Sequence, residues 1–377
     1  MGATIRNCQS KKNVVTDWSG LHQDFNSCFA EQIVSMKDFF AFGGVCKSWR
    51  SEAIKENSNA ALRLQHKVPI LLPPKEYNDP IRNIYSLTKG HIYQLDLPET
   101  KSKICFSSLG WLLTISWDCS NPHLFNPLTH AHIELPLISS RYWEGNVRKL
   151  VLSSNPSWTS NYEVLLMSSH CLAYYRPGYN NGRWNVPLLE LVVLLDAVYY
   201  KGQFYALDFR GKLFVCEMED PNNTHLRLVA EVPLEILLGP EIHLNKAYLV
   251  ESATGTLLLV LSLFDEDYDT TIAWRVFEVP FDDGKSWAKS EVKNLGNTTL
   301  FVGANYSSFS IEPLDNSVCK ANCIYFLNRS HVSTRDHIDM GIYYMDEGKI
   351  ENHLETLLNF HYKGKNLTSH SWIQPSF

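Results

Sequence analysis

The chain has 377 residues, of which 45% are apolar and 20% charged, and its formal net charge is −6. This composition is typical of a soluble globular protein large enough for two domains. Lysine and arginine are scattered along an acidic chain, which argues against nucleic acid as a partner. No apolar run reaches the roughly 18–20 uncharged residues that a membrane-spanning helix needs, so a membrane protein is excluded.

The first 16 residues are polar and basic without periodicity, so residues 1–16 are expected to form a flexible tail. They lack the apolar segment of a secretory signal, and Arg6 stands where a myristoylation signal needs Ser or Thr. We therefore expect the protein in the cytoplasm, the nucleus or both. In that compartment the nine cysteines should be reduced thiols that mostly serve as small buried apolar residues.

Residues 17–53 have the apolar periodicity of two short helices. In the first helix the apolar positions repeat every four residues: Leu21, Phe25, Phe29 and Ile33. A second helix is predicted to start near Ser35, and its apolar positions share one face: Phe39, Phe42, Val45, Cys46 and Trp49. So small a unit cannot bury this many aromatic side chains alone. It should therefore dock onto the rest of the chain or into a groove of a partner protein.

After a linker at residues 54–67, short strands separated by turn residues replace the helical period. The clearest stretch is residues 196–217, where Lys201-Gly202 and Arg210-Gly211 separate three strands of an antiparallel meander. The aromatic content of 12% also favours pleated strands. About 310 residues of such strands exceed one sandwich but fit four-stranded sheets repeated every 40–50 residues or so. The sequence therefore predicts a mainly β fold, with a β-propeller of six or seven blades at residues 68–377.

Two parts of the chain resemble known families. Residues 17–53 resemble a plant F-box, and residues 45–50, VCKSWR, match the end of that motif without a gap. The remainder resembles the plant domain of unknown function 295, a Kink-suppressed-type β-propeller. Its markers include SSLGWLLTI at residues 107–115, YYKGQFYALDFRGKLFVCE at 199–217 and ANCIYF at 321–326. The chain is therefore similar to plant F-box proteins in which a small helical F-box precedes this propeller.

The resemblance implies a non-catalytic subunit of a Skp-cullin-F-box ubiquitin ligase. The F-box would bind a Skp-family adaptor and, through it, a cullin, while the propeller would hold an unidentified substrate protein for ubiquitination and degradation. The adaptor contacts implied are Leu21, Phe25, Phe29, Ile33, Phe39 and Phe40. Trp49 is expected in the core of the small unit. Asn26 stands where the family has an apolar residue, and an unpaired amide in the adaptor groove would cost roughly 1–3 kcal/mol.

Substrate recognition is expected on rim loops, because a propeller commits its strands to packing. Residues 139–146 place three residue types enriched at interface hot spots side by side: Arg141, Tyr142 and Trp143. Residues 264–269 offer an acidic tip that would attract a basic substrate surface. Each segment also has a purely structural interpretation, with Trp143 in the core and the acidic run as a solvated hairpin tip.

The sequence indicates no catalytic residues, cofactor or metal. The pairs Cys319/Cys323 and His130/His132 each lack a second pair at zinc-site spacing. Two alternatives to the ligase subunit remain open. The first is a propeller interaction scaffold whose F-box has lost the adaptor, and the second is an enzyme with a site in the central channel. Co-purification with and without residues 17–50 tests the first alternative, and turnover assays test the second.

Overall fold

The computed structural model describes residues 21–32, 42, 45–56, 69–73, 79–87, 91–116, 120–138, 147–187, 192–218, 220, 224–238, 246–264, 270–281, 286–303, 306–313, 319–329, 338–352 and 371–374. The chain divides into two compact units, Met1–His66 and Lys67–Phe377. Within the described residues, no helix has the length and apolar character needed to cross a membrane.

The described part of the first unit contains helices α1 (Gln23–Gln32) and α2 (Lys47–Glu56). The hydroxyl of Ser27 on α1 donates a hydrogen bond of 2.7 Å to the carboxylate of Glu52 on α2. Glu52 is only 3% exposed, so this bond satisfies a carboxylate that would otherwise be costly to bury. The two helices therefore pack against each other through polar as well as aromatic groups.

The described residues of the second unit form six sheets, which are the blades of a six-bladed β-propeller. Blade 1 consists of β1 (Ile70–Leu72), β2 (Ile81–Ser86), β3 (His91–Asp96) and β24 (Ser371–Ile373). Blade 2 consists of β4 (Ile104–Ser108), β5 (Trp111–Ile115), β6 (His123–Phe125) and β7 (His132–Glu134). Blade 3 consists of β8 (Lys149–Leu152), β9 (Val164–Met167) and β10 (Leu172–Tyr175).

The remaining strands form three further blades. Blade 4 consists of β11 (Leu194–Tyr200), β12 (Gln203–Asp208), β13 (Lys212–Glu217) and β14 (His225–Glu231), followed by a short helix, α3 (Leu234–Leu237). Blade 5 consists of β15 (Ala247–Glu251), β16 (Leu257–Phe264), β17 (Thr271–Glu278) and β18 (Glu291–Val292). Blade 6 consists of β19 (Thr299–Gly303), β20 (Phe309–Ile311), β21 (Cys323–Arg329), β22 (Ile338–Tyr344) and β23 (Lys349–Glu351). Three 3-10 turns lie at Pro98–Thr100, Asn180–Gly182 and Trp287–Lys289.

The core lies between neighbouring blades. Leu113 of blade 2 and Leu166 of blade 3, for example, belong to one fully buried cluster. Apolar runs such as VLLM in β9 are buried on both faces, because each inner strand packs between two adjacent sheets. Each such leucine contributes about 1.5–3 kcal/mol to the free energy of unfolding. These Leu- and Val-rich segments therefore stabilise a ring of sheets.

The ring is closed by the C-terminal strand. Strand β24 pairs antiparallel with β1, with Leu71 opposite Trp372 in the register. Trp372 is completely buried, and its ring makes an edge-to-face contact of 5.2 Å with Phe301 of blade 6. Pairing β24 with β1 joins the last described strand of the chain to the first strand of blade 1, which closes the propeller ring.

Buried polar groups tie the innermost strands together. The ammonium group of Lys149 on β8 forms an ion pair with the carboxylate of Asp196 on β11. The second carboxylate oxygen of Asp196 accepts a hydrogen bond of 2.7 Å from the backbone N–H of Leu249 on β15. One carboxylate therefore joins blades 3, 4 and 5 near the centre of the ring.

The mainly β fold and the propeller predicted from the sequence are confirmed, and the blade number is six. The meander predicted at residues 196–217 corresponds to β11, β12 and β13. Antiparallel pairs dominate the described strands, and β19 and β21 run parallel, with Thr299 opposite Cys323. The chain segment that contains β20 connects β19 to β21. This length is needed because parallel neighbouring strands require a longer crossover than a hairpin turn.

Candidate functional site

Helix α1 carries two exposed phenylalanines. Phe25 and Phe29 lie one turn apart, and 59% and 51% of their surfaces are exposed. Residues four apart share one side of a helix. Half-buried Leu21 lies four residues before Phe25, just ahead of the first helical residue, Gln23. We call these three positions the α1 face. Two adjacent exposed aromatic rings are typical of a surface that a partner covers.

Asn26 lies on another side of α1, although the family pattern places it in the adaptor groove. Its side chain is completely buried, and its amide nitrogen lies 3.5 Å from the hydroxyl of Ser48 in α2. The position is rotated by about 100° from Phe25 around the helix axis, which turns the amide inward. Within the part of the chain that the structure describes, its carbonyl oxygen has no hydrogen-bond partner. The cost expected of this amide therefore falls on the folding of the helical unit.

Trp49 of α2 packs between two phenylalanines. Its ring centre lies 4.7 Å from that of Phe42 and 6.4 Å from that of Phe29, and the Phe29 and Trp49 planes differ by only 15°. Phe42 is 6% exposed, so this stack forms the apolar centre of the small unit. Phe29 consequently has two roles, because one side of its ring supports the fold while half of its surface remains exposed. Phe25 has no ring partner among the described residues and is the cleaner probe of the α1 face.

Several residues named from the sequence lie outside the described residues. They are Ile33, Phe39 and Phe40 among the adaptor contacts, and Arg141, Tyr142 and Trp143 among the substrate contacts. The acidic run after Phe264 lies outside them as well. Their roles stay predictions.

The structure adds a rim residue that the sequence reading missed. Trp158, between β8 and β9, is 66% exposed. Its loop is held by Asn155, whose side-chain oxygen accepts from the indole N–H of Trp111 at 3.0 Å and from the backbone N–H of Ser157 at 2.8 Å. The Asn155-Pro156 pair marks a turn in the sequence. The sequence did not indicate that Trp111 of blade 2 would hydrogen-bond to that turn.

The described cysteine and histidine pairs do not form a metal centre or a nucleophile. No group of three or more potential ligands occurs among the described residues. Burial raises the pKa of Cys319 to about 12 and that of Cys323 to about 11, which keeps both thiols protonated and unreactive. The His123 and His132 rings lie 4.6 Å apart, and burial, followed by Lys103 and His132, lowers the pKa of His123.

Comparison with known proteins agrees with the propeller fold of the second unit. Residues 84–344, more than half of the chain, match the family model described as KIB1-4 beta-propeller. The protein therefore belongs to the KIB1-4 β-propeller family. The domain-of-unknown-function-295 label expected from the sequence is not part of this match and stays a prediction.

Three relatives from Arabidopsis thaliana have "F-box protein" in their names. At1g65770 is 24% identical over 342 residues, which cover 83% of this chain and 89% of the relative. F-box protein At4g00893 is 24% identical over 339 residues, 82% of this chain and 77% of the relative. F-box protein At4g12382 is 30% identical over 123 residues, 30% of this chain and 80% of the relative. Among solved structures, YCF48 bound to D1 peptide aligns at 14% identity with a TM-score of 0.31, over 55% of this chain and 60% of that chain. The last similarity is too weak to support an argument.

Proposed function

We propose that the protein is the substrate-recognition subunit of a Skp-cullin-F-box ubiquitin ligase. The helical unit binds a Skp-family adaptor and, through it, a cullin, and the propeller holds a substrate protein for ubiquitination and degradation. The protein catalyses no step itself. It acts in the cytoplasm, the nucleus or both, by raising the effective concentration of substrate near the ligase. The F-box relatives that match over most of their length support this role.

The observation that carries the proposal is the α1 face. Helix α1 packs against α2 through Asn26, Ser27 and one side of the Phe29 ring. In isolation the helix gains nothing from two phenylalanines that are more than half exposed. Burying one such ring in a partner groove contributes about 1.5–3 kcal/mol, and a few such anchors dominate a typical interface. The face therefore fits a partner with an apolar groove, which is the kind of surface the proposed adaptor would need to offer.

The experiment is co-purification of the full-length protein with a plant Skp-family adaptor, comparing wild type with Phe25→Asp. Phe25→Asp places a charge in the centre of the α1 face and disturbs no ring stack, so it should abolish adaptor binding and leave the circular dichroism spectrum unchanged. Ser51→Asp is the matched control, because Ser51 is also exposed in the same unit but lies on α2. This control should bind like wild type.

Two results would contradict the proposal. If wild type binds no Skp-family adaptor, the protein is an interaction scaffold with a degenerate F-box. If Phe25→Asp binds as well as wild type, the adaptor does not contact the α1 face and the interface lies elsewhere on the unit.

A further inference from the structure

A groove of about 620 Å³ lies at one rim of blade 4, between the β12–β13 turn and the segment that leads from β14 into α3. One wall is apolar and contains Val232, Pro233 and Leu234. Leu234 leaves 51% of its surface exposed at the first position of α3. A concave apolar surface with an exposed leucine provides a place for an apolar side chain of another molecule.

Two cations line the same groove. Arg210 and Lys212 come from the β12–β13 turn, and neither forms an ion pair with any described residue. The Arg210 guanidinium lies over the ring of Phe209, 5.3 Å from its centre. Glu231, the one carboxylate among the lining residues, faces Lys212 across the β13–β14 register but is not within ion-pair distance. The hydrogen-bonding capacity of the guanidinium is therefore open to an incoming anion.

The turn that presents these cations is rigid. The carboxylate of Asp208 accepts hydrogen bonds from the backbone N–H groups of Arg210 at 3.0 Å and Lys212 at 2.7 Å. Gly211 adopts φ +85°, and a Cβ atom added there would lie 2.4 Å from the carbonyl oxygen of Val232. A fixed turn lowers the entropy cost of binding, because the backbone that carries Arg210 is already ordered.

We propose that this groove binds an extended segment of the substrate protein in which an apolar side chain adjoins an anionic one. The apolar side chain packs against Val232 and Leu234, and the anion accepts hydrogen bonds from the Arg210 guanidinium. Carboxylate and phosphate both suit the planar guanidinium fork, so glutamate, aspartate and a phosphorylated serine share the required chemistry. The inference rests on the proposed function only in identifying the bound segment as substrate.

The test uses purified full-length protein and an immobilised peptide library with one fixed leucine and randomised flanking positions. A second arm of the library carries phosphoserine at the flanking positions. We expect enrichment of aspartate, glutamate or phosphoserine within two residues of the leucine, and depletion of lysine and arginine. The comparison of the two arms identifies whether carboxylate or phosphate is the preferred anion.

Variants then locate the binding site. Arg210→Ala should weaken the best peptide about tenfold, the loss expected for one charge-assisted hydrogen bond. Leu234→Asp should weaken it as well, because it removes the apolar contact and repels the anion. Arg183→Ala is the matched control, since Arg183 is an exposed arginine in the Asn180–Gly182 turn region outside the groove. This control should bind like wild type.

Absence of anionic enrichment, or enrichment that survives Arg210→Ala, overturns the inference. Neither result affects the adaptor experiment, because the peptide assay contains no Skp-family protein. Conversely, loss of adaptor binding in the Phe25→Asp variant leaves peptide binding unchanged. The two proposals therefore fail separately.

Discussion

The ion pair between Lys149 and Asp196 is the polar contact whose removal should most weaken the propeller. The two side chains are 2% and 4% exposed, and the carboxylate also binds the backbone N–H of Leu249. Lys149→Met fills the space of the lysine stem but leaves the carboxylate buried with only the backbone N–H groups of Leu249 and Ala197 beside it among the described residues. Breaking one partner of such a pair typically costs about 3–5 kcal/mol of unfolding free energy. For a domain of this size the melting temperature should fall by something on the order of 5–10 °C.

The loss should depend on pH. Burial raises the pKa of Asp196 above its ordinary value, while Lys149 and the backbone N–H of Leu249 act in the opposite direction. Removing Lys149 takes away the main opposing contribution, so the pKa in the folded variant rises further. A carboxyl group whose pKa is higher in the folded than in the unfolded state stabilises the folded state at pH values below its unfolded pKa of about 4. This contribution to the free energy of unfolding disappears as the pH rises through the folded pKa. Lys149→Met should therefore be closest to wild type near pH 4 and furthest from it at neutral pH.

The assay is thermal unfolding followed by circular dichroism, with a double-mutant cycle. In Lys149→Met/Asp196→Asn the buried charge is gone and the asparagine oxygen still accepts from Leu249, so the double variant should recover at least about 1 kcal/mol relative to Lys149→Met. Lys293→Met is the matched control, because Lys293 pairs with Glu291 at 2.8 Å but is 78% exposed. Such an exposed pair contributes less than about 1 kcal/mol. The reasoning is refuted if Lys149→Met melts like Lys293→Met, or if the double variant is no more stable than Lys149→Met.

Three further predictions follow from other contacts. A chain that ends at residue 370 lacks β24 and the buried Trp372, so it should lose the cooperative thermal transition; an unchanged melting curve would contradict the closure by β24. Asn26→Leu removes a buried carbonyl oxygen without a partner and should slow amide hydrogen exchange in α1, with faster exchange as the contrary result. Exposed Cys28 should react with a thiol reagent at pH 8 before buried Cys216, because burial raises the Cys216 pKa to about 12. Mass spectrometry of the labelled peptides gives the order of reaction, and early labelling of Cys216 would argue against its burial.

Local signals predict most of the strands but not how they assemble. The turns at Lys201-Gly202 and Arg210-Gly211 mark the ends of β12, because both glycines need positive φ values. Blade number does not follow from such signals. Blade 3 has three described strands, blade 6 has five, and β24 joins blade 1 from the far end of the chain. The described blades therefore differ in strand number, and the ring is defined only once distant strands have paired.

The two candidate sites also differ in how far the sequence predicts them. Helical periodicity places Phe25 and Phe29 on one side of α1, because their exposure depends on this short helix and the neighbouring helix α2. The rotation of about 100° per residue also predicts that Asn26 turns away from the two phenylalanines. The family pattern alone does not indicate this orientation.

Arg210, by contrast, cannot be recognised as a binding residue from the sequence. In the sequence it precedes a turn glycine and carries no further signal. Its place beside an apolar wall depends on Val232 and Leu234, which follow β14 and reach the turn only because β13 and β14 pair in this register. A binding groove of this kind is a property of strand register, so a shift of β14 by one residue would separate the cation from its apolar wall without changing any residue in either segment.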